Sequence, residues 1–241
     1  MHPTDPFDAA VPASQGSASL PPLPPGLASR YQLHQQLHRG AISRVYLASH
    51  RHTGRRVAVK QLCGTASPGE VERRHIARLR RELALSAQLH HPHIVALLDA
   101  DEDDWGHPHL VFDYVPGRTL AQVLATEGPL AMGDALQLLI QLLDALATAH
   151  RLGIVHRDLK PDNLMVTATA TPHLAVLDFG LGAWREEWVA GHQRITEAYE
   201  MLGSPIYTAP EQLRVEGVTA ATDLYASRLI PEESLTYQRP P

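Results

Sequence analysis

Apolar and polar positions along the 241-residue chain follow two periods. Leu136, Leu139, Ile140, Leu143, Leu146, Ala147 and His150 recur every three or four residues, the spacing of one helical face. They predict an amphipathic core helix. A second helix is expected from about Gly69 to Leu89, with Arg73, Arg74, Arg78, Arg80 and Arg81 on its wet face. Shorter runs rich in β-branched and aromatic residues predict strands. These are Tyr31-Gln32-Leu33, Val45-Tyr46-Leu47, Val57-Ala58-Val59-Lys60, Leu110 to Val115, and Leu174-Ala175-Val176-Leu177. Turns are expected through Gly40, through His52-Thr53-Gly54-Arg55 and at Pro116-Gly117. Residues 1–29 hold seven of the 19 prolines. Pro21-Pro22-Leu23-Pro24-Pro25 can neither pair in a sheet nor continue a helix, so a disordered leader is expected before Tyr31.

Composition narrows the picture. The length suits one large domain or two lobes around a cleft. A net charge of −5 and a pI near 6.3 do not point to nucleic acid or to an anionic membrane surface. Cys63 is the only cysteine, so no disulfide forms within the chain. No apolar run reaches the length of a bilayer span, and the N-terminus lacks a secretory pattern. A cytoplasmic protein is expected. His90, His91 and His93 could be read as metal ligands, but a helix-to-strand turn around Pro92 is the plainer reading.

Candidate chemistry gathers in Val155-His156-Arg157-Asp158-Leu159-Lys160-Pro161-Asp162-Asn163, followed by Asp178-Phe179-Gly180. The stretch offers a carboxylate, a cation two residues on, an amide oxygen three further, and then a second carboxylate beside a glycine. Phosphoryl transfer needs such a set. One carboxylate orients and deprotonates the acceptor hydroxyl. A cation offsets charge on the moving group. An amide and a carboxylate hold Mg²⁺ against the phosphates. A polar loop with a chance Asp-Phe-Gly is the rival reading, and two ordered motifs argue against it.

The two runs resemble the catalytic loop and DFG segment of eukaryotic-type serine/threonine protein kinases, most like bacterial members. That resemblance implies an α+β, two-lobed fold: a small antiparallel β-lobe with one helix, and a mainly helical lobe. Its lobes would span 30–114 and 115–241. It implies ATP and Mg²⁺ as cofactors, Asp158, Lys160 and Asn163 as catalytic residues, and Asn163 with Asp178 on the metal. Lys60, ending its strand, would reach the phosphates and pair with Glu82, chosen over Glu70 and Glu72. Phe112, Asp113 and Val115 would form the hinge and adenine pocket, with Val45, Ala58 and Leu164 lining it. In the nucleotide loop the family's glycine positions fall on His38, Gly40 and Ser43, and only Gly40 matches. Arg157 before Asp158 implies control by a phosphate on the activation segment. Thr196 is the best-placed acceptor, and Tyr199 and Ser204 are lesser ones. Ser204 also matches the hydroxyl that contacts the catalytic loop, and with Lys160 it favours Ser/Thr acceptors. A protein substrate is implied, with a second copy as partner in autophosphorylation.

The chain departs from the family pattern near its end. Asp223-Leu224-Tyr225 resembles the start of the large lobe's central helix, and that aspartate supports the catalytic loop in the family. Pro231 should interrupt that helix. The last helices are expected to be missing, leaving Glu211 without its arginine partner. The alternative is therefore a pseudokinase or truncated kinase fragment, acting as a nucleotide-binding or protein-interaction module. A small-molecule phosphotransferase is a third reading, disfavoured by Phe179-Gly180 and Ala209-Pro210-Glu211.

Overall fold

The computed structural model describes residues 20–62, 79–167, 171–182, 205–214 and 216–236. The strand-forming runs make an antiparallel sheet of β1 (Tyr31–Arg39), β2 (Ser43–His50), β3 (Arg56–Leu62), β4 (Leu97–Glu102) and β5 (Pro108–Asp113), in the order β1-β2-β3-β5-β4. Side chains alternate across it. One face buries Tyr31, Ala48, Val57, Val59 and Val111 together. The other carries Leu62, Leu110 and Phe112 against Leu79 and Leu83 of a helix, α2, whose described residues are 79–86.

The structure differs from the expected leader over residues 20–29. Pro25 sits in the first turn of a short helix, α1 (Pro25–Ala28), where its missing N–H costs nothing. Leu27 is fully buried among Tyr31, Val57 and Val59, with Leu23 packed beside it. Two apolar anchors thus outweigh the proline bias. Arg51 donates to the Ala28 carbonyl at 2.9 Å, and Arg30 pairs with Asp99 at 2.5 Å.

The second lobe holds β6 (Arg118–Thr119), α3 (Leu120–Glu127), α4 (Met132–Arg151), β7 (Leu164–Thr167), β8 (His173–Val176), α5 (Pro210–Leu213) and α6 (Ala220–Thr236). Thr119 caps α3, exchanging side-chain and backbone bonds with Gln122. In α4 the buried face is Ala135, Leu138, Leu142, Ala145, Leu146 and Ala149. Of the stripe read from sequence, Leu136, Ile140 and Leu143 point outward instead, 39–59% exposed. The helix is apolar on two sides, and small alanines let the other side pack closely on α6.

α6 runs through Pro231 without ending. Ile230 and Ser234 on either side are buried, and the Ser234 carbonyl accepts from Leu130 N–H at 2.7 Å. Tertiary packing offsets a proline cost of about 3 kcal/mol. Glu211 has a partner too: the Thr222 hydroxyl donates to its Oε1 at 2.6 Å. No helix among the described residues is long and apolar enough to cross a membrane.

Candidate active site between the lobes

The catalytic-loop run lies between α4 and β7. Asp223, 1% exposed in α6, holds it. Its carboxylate accepts from the His156 N–H at 2.8 Å and the Arg157 N–H at 2.9 Å, and meets His150 Nε2 at 2.7 Å. Arg157 is left-handed, with φ 66°, a conformation a non-glycine keeps only when its surroundings enforce it. His156 is wholly buried. Its Nδ1 accepts from the Asp158 N–H at 3.2 Å, so its Nε2 donates to the Leu177 carbonyl at 2.7 Å. Its ring meets Phe179 edge-on at 4.8 Å. The histidine is a strut between the two motifs.

Asp158 lies 3.3 Å from Lys160 Nζ. Asn163 donates its amide N–H to the Asp158 carbonyl at 2.6 Å and to Oδ2 at 3.0 Å. That leaves the Asn163 side-chain oxygen to meet a cation. The Leu177 N–H bonds the Asn163 carbonyl at 2.9 Å, which brings Asp178 alongside. Asp178 is itself left-handed at φ 62°. Gly180, at φ 84°, presses on α2: a Cβ there would lie 2.2 Å from Ser86 Oγ.

Lys60 and Glu82 both reach the site, but not each other. Lys60 Nζ bonds Asp178 Oδ2 at 2.5 Å, while Glu82 Oε1 lies 3.5 Å from Arg157 Nη2. The expected Lys60–Glu82 pair is replaced by two others. Charge explains the exchange: two acids and two bases crowd a half-buried space, and each acid takes the base its backbone brings nearest.

The strand alternation corrects another assignment. Leu164 is fully buried in the large-lobe core, among Leu120, Leu142 and Val176. Met165, on the opposite face of β7, packs, as do Ala58, Val115 and Leu177, against the cluster of Leu62, Leu79 and Leu110 under the sheet. Phe112 is buried in that same cluster. The Asp113 N–H is committed to the Ala96 carbonyl at 3.0 Å, and its side chain to Arg55, so its carbonyl is what remains for a ligand. Val45 pairs across from Lys60. Gly40 closes its turn with an N–H bond to the Ser43 carbonyl at 2.8 Å, and a Cβ there would find only ordinary contacts. Thr196, Tyr199, Ser204, Cys63 and the tryptophans Trp184 and Trp188 lie outside the described residues.

Hard oxygens and a nearby ammonium fit Mg²⁺·ATP. Asp178 and Asn163 are the residues that would hold the metal, and Mg²⁺ usually completes its shell with phosphates and water rather than a protein cage. Among the described residues no cluster of three His, Cys, Asp or Glu side chains could hold a metal alone. His91 instead faces Asp144 at 3.1 Å and His93 the Leu174 carbonyl at 2.9 Å, as a turn around Pro92 requires.

An antiparallel sheet with one helix, a helical lobe below, and this polar set between them define a two-lobed kinase-type fold. Sequence comparison agrees. The protein kinase domain family model matches residues 31–240, and the chain belongs to that family. It is 35% identical over 228 residues to a probable serine/threonine-protein kinase PknB of Bifidobacterium longum, covering 91% of this chain and 32% of that protein. It is 34% identical over 220 residues to serine/threonine-protein kinase PknB of Mycobacterium leprae, covering 90% of this chain and 34% of that one. The chain thus spans about a third of the length of these curated relatives. Among solved structures, Rad53 residues 1–466 in complex with AMP-PNP superposes with a TM-score of 0.71 at 26% identity, over 89% of this chain and 50% of that one.

Proposed function

We propose that this chain transfers the γ-phosphoryl group of Mg²⁺·ATP to Ser or Thr hydroxyls of proteins. The convergence of Asp158, Lys160, Asn163, Asp178 and Lys60 from three separate stretches carries this reading. Bound Mg²⁺·ATP supplies the phosphoryl group and offsets charge on its oxygens. Asp158 orients the acceptor hydroxyl and takes its proton. Lys160 balances charge on the transferring group. Asn163 and Asp178 hold the metal through their side-chain oxygens, and Lys60 binds the phosphates once it leaves Asp178. Ala58, Val115, Met165 and Phe112 enclose the adenine, with backbone groups of the 113–115 segment bonded to it. Arg157 receives a phosphate on the activation segment, with Thr196 as its first site and a second copy as the phosphorylating enzyme. The enzyme works in the cytoplasm.

The test is γ-phosphate transfer to a generic basic protein and to the chain itself, with Asp158→Asn as control. Transfer lost in the variant is the expected result. Transfer that survives it sinks the assignment of Asp158.

One observation favours a second reading, a nucleotide-binding or interaction module without catalysis: Lys60 is held by Asp178, and Glu82 by Arg157. Nucleotide-dependent stabilisation without transfer supports that reading, whereas transfer excludes it.

A further inference from the structure

Gln212 takes no part in the chemistry just described, yet it is 6% exposed and bonded at both ends of its amide. It lies in α5, next to Glu211. Its Oε1 accepts from the Ala209 N–H at 3.1 Å, and its Nε2 donates to the Arg157 carbonyl at 2.7 Å. One planar group must be acceptor and donor at once, which an amide provides at every pH and a carboxyl of the same length only when protonated.

The residue it grips needs holding. Arg157 is left-handed, and Asp223 secures only its N–H side, at 2.9 Å. Gln212 secures the carbonyl side. That carbonyl belongs to the peptide unit whose other end is the Asp158 N–H, itself donated to His156 Nδ1 at 3.2 Å. This plane leads directly into the Cα of Asp158, which Asn163 holds from the other side.

We propose that Gln212 is a positioning residue for Asp158, resting on the kinase reading above. It ties the segment from Ala209 to Leu213 to the catalytic loop through the Arg157–Asp158 peptide. A displacement of that segment turns the carboxylate away from the acceptor hydroxyl.

Gln212→Glu keeps the length and the acceptor but removes the donor. At about pH 8 its kcat should fall at least about tenfold with KM for ATP unchanged. As pH is lowered towards about 6, the ratio of variant to wild-type kcat should climb, because a protonated carboxyl regains a donor. Gln212→Met should show the same fall without the recovery. Deuterium uptake in the peptide covering residues 154–160 should be faster in both variants at about pH 8. Wild-type kcat in Gln212→Met, or a ratio flat with pH in Gln212→Glu, overturns the proposal. If the wild-type chain transfers no phosphate, the kinase reading fails separately. Deuterium uptake then decides the positioning role: faster uptake in the variants supports it, and unchanged uptake overturns it.

Discussion

Asp158 owes its placement to hydrogen bonds with the side chains around it. Asp223, His156 and Asn163 each spend hydrogen bonds on its backbone or on the residue before it. Asp158→Asn keeps those backbone bonds and removes the carboxylate proposed as the base. We expect phosphotransfer to drop by about 10²–10⁴ with little change in melting temperature, measured side by side. His109 tells a different story at the same scale. It is 2% exposed in β5, with Nδ1 on the His107 carbonyl and a bare Nε2. Burial holds its pKa below the ordinary histidine value. Below about pH 6.5 the unfolded chain takes up a proton that the folded chain refuses. Stability should therefore fall with pH from there, until the folded imidazole itself titrates. His109→Phe should flatten that part of the profile in thermal melts run across the range. An unchanged slope would acquit His109.

Elements show where local preference loses to packing. Pro231 leaves the Ser227 carbonyl without its usual helical donor, yet α6 continues because Ile230, Ser234 and the Leu130 contact hold the next turn in place. Pro231→Ala restores the donor at a position already helical. We expect a gain of about 1–3 kcal/mol, read from urea denaturation. A loss would mean that the proline geometry is needed by the packing around Leu130. α4 teaches the complementary point. With leucine or isoleucine on two faces, spacing alone could not say which face is inward. The inward face carries the alanines at 135, 145 and 149 beside Leu138, Leu142 and Leu146, while Ala147 is exposed.

At the scale of the molecule, the two lobes share an apolar cluster and meet through charge as well: Lys60 of the sheet on Asp178, and Glu82 of α2 on Arg157. On the proposed reading, nucleotide competes with Asp178 for Lys60. Mg²⁺·ATP at a hundredfold its Kd should add about 2.7 kcal/mol of stability, and Asp178→Asn should erase the Mg²⁺-dependent part of that shift in thermal melts. The grouping of Asp158, Lys160, Asn163 and Asp178 was legible in the sequence because two short runs carry all four. The ion-pair exchange was not, since Lys60 and Asp178 pair across 118 residues and the Glu82–Arg157 pair depends on where α2 lands. Nor was Met165 over Leu164, where a one-residue choice of face reverses the assignment. Gln212 gave only the faint signal of a polar residue behind a recognised motif. The short helix ahead of Tyr31 has a practical consequence for anyone cutting this protein. A fragment started where family similarity starts, at residue 31, would leave a leucine-sized void beneath Val57 and Val59. Such a fragment would melt early for want of Leu27 and Leu23, Leu27 alone being worth about 2–5 kcal/mol by analogy with buried Leu→Ala changes, and its weakness would say nothing about the polar site between the lobes.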